Sequence, residues 1–179
     1  MQPTQRGITM IELLIATSIV AILAGIAMPA FSGAFEASRS SSARAALLGS
    51  YMAAVDSATM SGSHAVLCPS GDGSACLGNP DWSSGWIVFL DSDGDREHQV
   101  GEPIVARHAA LEGKVRLRST IGRTKIVIQP SGGNAGSNVT YTLCDGRGAA
   151  MAETLVLSNR GFLHAGVPTA AAIAATCAP

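Results

Sequence analysis

Aromatic side chains make up only 4% of this 179-residue chain and charged ones 14%, with a formal net charge of −1. A chain so nearly neutral exerts no global pull on nucleic acid or anionic lipid. Catalytic signatures are missing as well. No Gly-x-Ser-x-Gly elbow, phosphate-binding P-loop or His-Glu-x-x-His pair occurs, so no motif supplies an activated nucleophile, a phosphate cradle or a metal-bound water. His64, His98, His108 and His164 are scattered among expected turns and strand ends, where solvated or capping roles suffice. The chain is read as a non-enzyme without cofactor or metal. What it has in plenty is glycine, 20 residues, together with one long apolar block near its start. That block and one ordinary globular domain account for the length.

The block covers residues 8–35 and contains a single charge, Glu12. About twenty helical residues at 1.5 Å each cover the ~30 Å core of a bilayer. Arg6 precedes the block, which places the preceding residues in the cytoplasm and the following ones outside. A removable secretory signal would be shorter and would end in a small-residue cleavage site; residues 27–30 offer a poor one. A plain anchor leaves Glu12 unexplained, because a carboxylate at that depth costs on the order of 2.5–3.5 kcal/mol. Cutting the chain between Gly7 and Ile8 supplies a reason for it. The cut creates an α-amine four residues from Glu12, and the carboxylate can pair with the amine of an incoming neighbour.

The stretch Arg6-Gly7-Ile8-Thr9-Met10-Ile11-Glu12-Leu13 resembles the prepilin peptidase site of type IV pilins and type II secretion pseudopilins. Their pattern is Gly before the cut, a hydrophobic residue after it and Glu at the fifth mature position; Ile8 stands where Phe is usual. Pro29 falls where many members carry a helix-kinking proline, and with no amide proton it is expected to bend or open the helix. The resemblance implies a leader of residues 1–7 removed by prepilin peptidase and N-methylation of Ile8. It also implies a filament-core helix over residues 8–35, other pilins or pseudopilins as partners, and a head over residues 36–179. The expected location is the bacterial inner membrane, single-pass with the head in the periplasm, and then the pilus or pseudopilus.

After residue 35 the apolar pattern becomes one-sided. Leu48, Tyr51, Met52, Val55 and Thr59 recur at helical spacing, so the helix is expected to continue to about Met60 and to lay this face on the head. Gly62 between two serines ends it. From residue 65 the period is about two, giving short strands at 65–68, 86–91, 104–108, 115–118, 125–129, 139–144, 154–158 and 162–165. A short helical turn is expected over 170–176. One long helix packed on an antiparallel β-sheet head is an α+β, pilin-like fold. Within it, Trp82-Ser83-Ser84-Gly85-Trp86-Ile87-Val88-Phe89-Leu90-Asp91, then Asp93 to Asp95, then Gly101-Glu102-Pro103-Ile104 is similar to the central stretch of the GspH/FimT branch of minor pilins and pseudopilins. That branch implies a minor subunit near the filament tip that helps to initiate assembly.

Beyond the membrane the compartment is oxidising, so Cys68, Cys76, Cys144 and Cys177 are expected as disulfides. Their spacing suits no zinc site. Of three connectivities we expect Cys68–Cys76 and Cys144–Cys177, worth about 2.6 and 3.7 kcal/mol on the chain-entropy argument. A C-terminal disulfide loop looks more like type IV pilins than secretion pseudopilins. Asp91, Asp93, Asp95 and Glu102 fall at positions 1, 3, 5 and 12 of a calcium loop, but Arg96 holds the glycine place, so a polar hairpin is expected instead.

Charge is uneven along the head. Residues 72–102 carry Asp72, Asp81, Asp91, Asp93, Asp95, Glu97 and Glu102 against Arg96 alone. Residues 103–131 carry Arg107, Lys114, Arg116, Arg118, Arg123 and Lys125 against Glu112. The expectation is that neighbouring hairpins neutralise one another; the alternative is a basic face for DNA or for a neighbouring subunit. DNA-binding members of the FimT group carry a Gly-Arg-x-Arg pattern in the C-terminal hairpin, where this chain has Gly161-Phe162-Leu163-His164. Arg147 and Arg160 lie near in sequence and are the candidates for partial compensation, so DNA binding is expected to be weak.

Overall fold

The computed structural model describes residues 7–134 and 136–178, without side chains at positions 29 and 30. Most of the leader lies outside the described residues, and the helix that was expected to bend or open at Pro29 runs as one helical element through that position. Met1–Phe35 and Glu36–Pro179 form two compact units.

In the first unit helix α1 (Met10–Ser61) begins, and it is long and apolar enough to cross a membrane. Its start is capped by Thr9, whose hydroxyl accepts the Glu12 amide at 3.3 Å. Ile11, Leu14, Val20, Leu23 and Phe31 are all exposed. The two hydroxyl residues among them fold back on the backbone: Thr17 donates to the Leu13 carbonyl at 3.0 Å and Ser18 to that of Leu14 at 2.9 Å. The helix thus carries no unmatched hydroxyl donor at these positions into an apolar medium.

The second unit contains the rest of α1 and two four-stranded antiparallel sheets. The first has the order β3-β2-β1-β5, built from β1 (His64–Pro69), β2 (Trp86–Asp91), β3 (Ile104–His108) and β5 (Ile126–Ile128). The second has the order β4-β6-β7-β8, from β4 (Arg116–Ser119), β6 (Val139–Cys144), β7 (Glu153–Leu157) and β8 (Leu163–Gly166). A short helix, α2 (Ala170–Cys177), is capped by Thr169 and packs on β6 and β4.

The face that α1 buries differs from the expected one. Ala43, Leu47, Tyr51, Ala54 and Ala58 are buried, whereas Leu48 and Met52 are exposed. Small alanines let the helix approach the sheets closely, and the volume is filled from the other side by Trp82, Trp86, Val88, Leu117, Ile126 and Tyr141. Trp86 ties the layers together, donating its indole N–H to Ser50 Oγ at 2.9 Å. The first sheet is covered on its other face too, where Val66, Cys68, Ile87, Phe89 and Val127 form a second cluster with Cys76 and Ile104. Burial on both faces explains why β2 is a continuous apolar run and not an alternating one.

The Cys68–Cys76 disulfide folds the β1–β2 connection onto this second cluster, and Cys144–Cys177 ties the end of α2 to β6. Gly85, just before β2, has φ +105°, and a Cβ there would lie 2.4 Å from the His108 carbonyl oxygen. Only glycine permits β3 to close on β2 at the Trp86–His108 pair, where the two rings stack with centroids 4.1 Å apart.

Candidate assembly site

Gly7 and Ile8 precede α1, and Glu12 lies in its first turn. A Cβ on Gly7 would meet nothing within 4 Å, so the glycine is not demanded by packing. Ile8 is 77% exposed, and Glu12 is exposed within a row of apolar side chains. Burying that row in lipid or against other helices is favourable; burying Glu12 with it is costly unless a cation meets the carboxylate. The chemistry available here is charge pairing and apolar packing.

The remaining candidates lie in the head and are not gathered into one site. Arg147 is held by Asp145: its Nε and terminal amino group donate at 3.0 and 2.7 Å, and its own amide donates at 2.9 Å. Burial raises the Asp145 carboxyl, but the hydrogen bonds and charge of Arg147 outweigh it, leaving the group below the usual carboxylate range. Next to it, the Gly146 amide donates to Glu36 at 3.0 Å, so Arg147 sits at the Glu36 end of the head. Arg160 is exposed in the β7–β8 turn, whose Gly161 carbonyl accepts from the Tyr51 hydroxyl at 3.2 Å. Glu36 and Tyr51 are about 22 Å apart along the helix. Arg147 and Arg160 therefore do not form one cationic patch, and Arg147 already has its anion.

The Asp91, Asp93 and Asp95 carboxylates each place an oxygen within 4.8 Å of the others. Asp91 accepts the Gly94 and Arg96 amides at 2.8 and 3.2 Å, and Glu102 accepts those of Ser92 and Gln99 at 2.8 and 3.0 Å. Arg96, at the glycine place of a calcium loop, adopts a left-handed φ of 65°. The acids fold the connection between β2 and β3 by satisfying its amides.

Among the described residues, the expectation of mutual neutralisation between the charged blocks is met at one place. Lys125 pairs with Glu97. Arg116 instead donates to the Ala178 carbonyl at 2.6 Å, Arg107 to that of Gly73 at 2.8 Å and Arg123 to the Asn138 side chain at 3.0 Å. Chain proximity did not become spatial proximity, because β4 and β5 diverge into different sheets.

A long apolar helix opening on Thr9 and Glu12 and ending in a two-sheet, disulfide-closed head defines the class of pilin-like filament subunits. The family described as Type II transport protein GspH matches residues 43–161, and the prokaryotic N-terminal methylation motif matches residues 3–28. The chain belongs to the GspH family of minor pilins and pseudopilins. No curated protein sequence matches it. Among solved structures, the type IV minor pilin FimU of Pseudomonas aeruginosa is similar with a TM-score of 0.56 at 12% identity, over 76% of this chain and 91% of that one. The minor pseudopilin EpsH of the Vibrio cholerae type 2 secretion system gives 0.45 at 13% identity, over 73% and 94%.

Proposed function

We propose that this chain is a minor pilin of a type IV pilus, acting at or near the tip to start the filament and so supporting twitching, adhesion or DNA uptake. Prepilin peptidase cuts after Gly7, the head stands in the periplasm, and the apolar half of α1 leaves the inner membrane to pack among neighbouring helices. Glu12 there neutralises the Ile8 amine of a neighbour. The observation that carries this reading is the exposed apolar helix with one carboxylate in its first turn. Such a surface is tolerable only in lipid or in a helical bundle, and its single charge asks for a cation. The Cys144–Cys177 loop supports the pilus over the secretion system. The type II secretion pseudopilin is the second reading, favoured by the family's own description.

Deleting the gene in its host decides between them. Loss of sheared surface pili and twitching, with secreted enzyme levels unchanged, is expected; the opposite pattern establishes the secretion role. In the same host the mature chain should begin at Ile8 by mass spectrometry, and Gly7→Ala should slow the cut. Intact Met1 in assembled filaments would end the processing part of this reading.

A further inference from the structure

A strand at the edge of a sheet presents unpaired amides and carbonyls to any chain that can pair with them. Proteins blunt such edges by covering, bending or shortening them. Among the described residues, three of the four edge strands of the head are blunted in this way. Along β4, the Trp82 amide donates to the Leu117 carbonyl and the Ser119 amide to the Pro80 carbonyl, both at 2.9 Å, so residues 80–83 cover it. β5 has three residues, all buried. β3 is interrupted by a bulge opposite Val88 and Phe89, and its Arg107 reaches across to the Gly73 carbonyl at 2.8 Å.

β8 has none of these devices. The Ser158 amide donates to the Phe162 carbonyl at 2.9 Å. In the antiparallel register that follows from it, His164 and Gly166 are the residues bonded to β7. The amides and carbonyls of Leu163 and Ala165 therefore point to the free side. Among the described residues only the His164 ring meets any of them, its Nδ1 lying 3.0 Å from the Ala165 carbonyl oxygen. His164 and Ala165 are exposed, and Phe162 and Val167, at the two ends of the strand, are 69% and 91% exposed.

The surface beside this edge is apolar. Arg44 lies 3.6 Å from the Glu153 carboxylate at the start of β7, and the Tyr51 hydroxyl donates to the Gly161 carbonyl at 3.2 Å. One flank of α1 thus runs along the β7–β8 hairpin. Leu48, four residues after Arg44 and three before Tyr51, lies on that flank and is exposed. Leu163 packs on the core cluster, and Ala165 shares its face of the strand. A strand added along β8 would direct alternate side chains over Ala165 toward Leu48. The charge here is of one sign: residues 158–169 contain Arg160 and His164 and no acid. Arg160 is exposed, with no anion within ion-pair distance among the described residues.

We infer that the free edge of β8 is a docking site for an extended segment of a different pilin-like subunit, which joins the four-stranded second sheet as its fifth strand. The site states the chemistry of its occupant: apolar residues at alternate positions, to face Ala165 and Leu48, and an acid to meet Arg160. Charge complementarity selects against a second copy of this chain, whose own β8 segment would bring the same cation. Backbone pairing supplies affinity in such a contact, and the alternate side chains supply selection. The inference rests on the assembly role proposed above, in which a minor subunit has unlike neighbours.

The test uses the full chain in its own host, with the photoreactive p-benzoylphenylalanine replacing Val167. After irradiation, membranes and sheared filaments are analysed separately. The expected product is a cross-link to one pilin-like subunit other than this chain, mapped by mass spectrometry to a segment of alternating apolar residues. Ala165→Pro removes an outward amide without touching the bonds to β7. It should lower the yield about tenfold while the melting temperature of the purified chain stays within about 3 °C. Ala165→Lys puts a charge on the face toward Leu48; it should lower the yield as much, and it decides the matter if the proline variant fails to fold. Absence of the link, a link to a second copy of this chain, or a yield unchanged in the folded variants overturns the docking site. If the chain still enters filaments, the assembly role stands. A chain that gives the link in membranes but never enters filaments upholds the docking site and refutes the assembly role.

Discussion

Removing the Cys144–Cys177 bond by Cys144→Ser/Cys177→Ser tests how the C-terminal segment is held. The bond spans a sequence separation of 33, against 8 for Cys68–Cys76. On the chain-entropy argument the longer loop contributes about 3.7 kcal/mol and the shorter about 2.6. Few other interactions hold α2. Thr176 is its buried residue, Thr169 caps it through the Ala172 amide at 3.2 Å, and Arg116 reaches the Ala178 carbonyl at 2.6 Å. A loss of about 3.7 kcal/mol is a large part of the 5–15 kcal/mol that stabilises a typical domain. For a domain of this size it lowers the melting temperature by about 7–15 °C. Thermal unfolding of residues 36–179 followed by circular dichroism measures it, with Cys68→Ser/Cys76→Ser as the comparison. Hydrogen exchange should show the α2 amides losing protection before any strand does. A double variant that melts within about 2 °C of the parent, or that is more stable than the Cys68/Cys76 variant, would falsify the reasoning.

Three further outcomes are expected. Gly85→Ala should cost at least about 2 kcal/mol, since its Cβ would sit 2.4 Å from the His108 oxygen, whereas Gly94→Ala, at φ +84° with nothing within 4 Å, should cost about 1; equal urea midpoints for the two would rule out the steric account. Glu12→Ala should leave cleavage and membrane insertion intact but deplete the chain from sheared filaments, because an unpaired buried amine costs about 3–5 kcal/mol; normal incorporation on quantitative immunoblots would give Glu12 another role. Duplex DNA titrated into residues 36–179 at about 150 mM salt should bind more weakly than micromolar; tighter binding lost on Arg160→Ala would favour a DNA receptor, with Arg147 excluded by its hold on Asp145.

The strands were legible because their runs of Val, Ile, Leu and Trp are bounded by glycine-rich turns, and the observed ends fall within two residues of those runs. The buried face of α1 was not. Ala43, Ala54 and Ala58 carry almost no hydrophobic signal, yet their small size is what lets the sheets approach, so the larger Leu48 and Met52 misdirected the reading. The division into two sheets was equally invisible: β5 leaves β4, its neighbour in sequence, to pair with β1 across the chain, and local patterning says nothing about such a choice. The N-terminal methylation motif over residues 3–28 and the apolar helix were legible because both depend on order along the chain, which a linear sequence displays directly; the roles proposed for Gly7, Ile8 and Glu12 rest on that same stretch.

On the proposed assembly role, energy and specificity reside in different parts of this chain. The apolar residues of α1 before Phe35 are exposed, and packing one apolar helix against another discriminates less between partners than a charged surface does. In the role proposed for it, Glu12 adds a rule of register, since it rewards any neighbour whose amine lies at the right height, but every subunit with the same N-terminus meets that rule. Partner choice must then come from surfaces that differ between subunits, and electrostatic complementarity supplies selection more readily than it supplies affinity. The head meets this requirement in structural terms. Its core is closed on both faces of the first sheet, Asp91 and Glu102 tie down the amides of the connection between β2 and β3, and β4 is paired to β6, so Asp93, Asp95, Arg116 and Arg118 are held in place before a partner arrives. A charge reversal on β4 should therefore change which subunit follows this one in a mixed filament while leaving the total amount of filament nearly constant, whereas Glu12→Ala should lower the amount without altering the order.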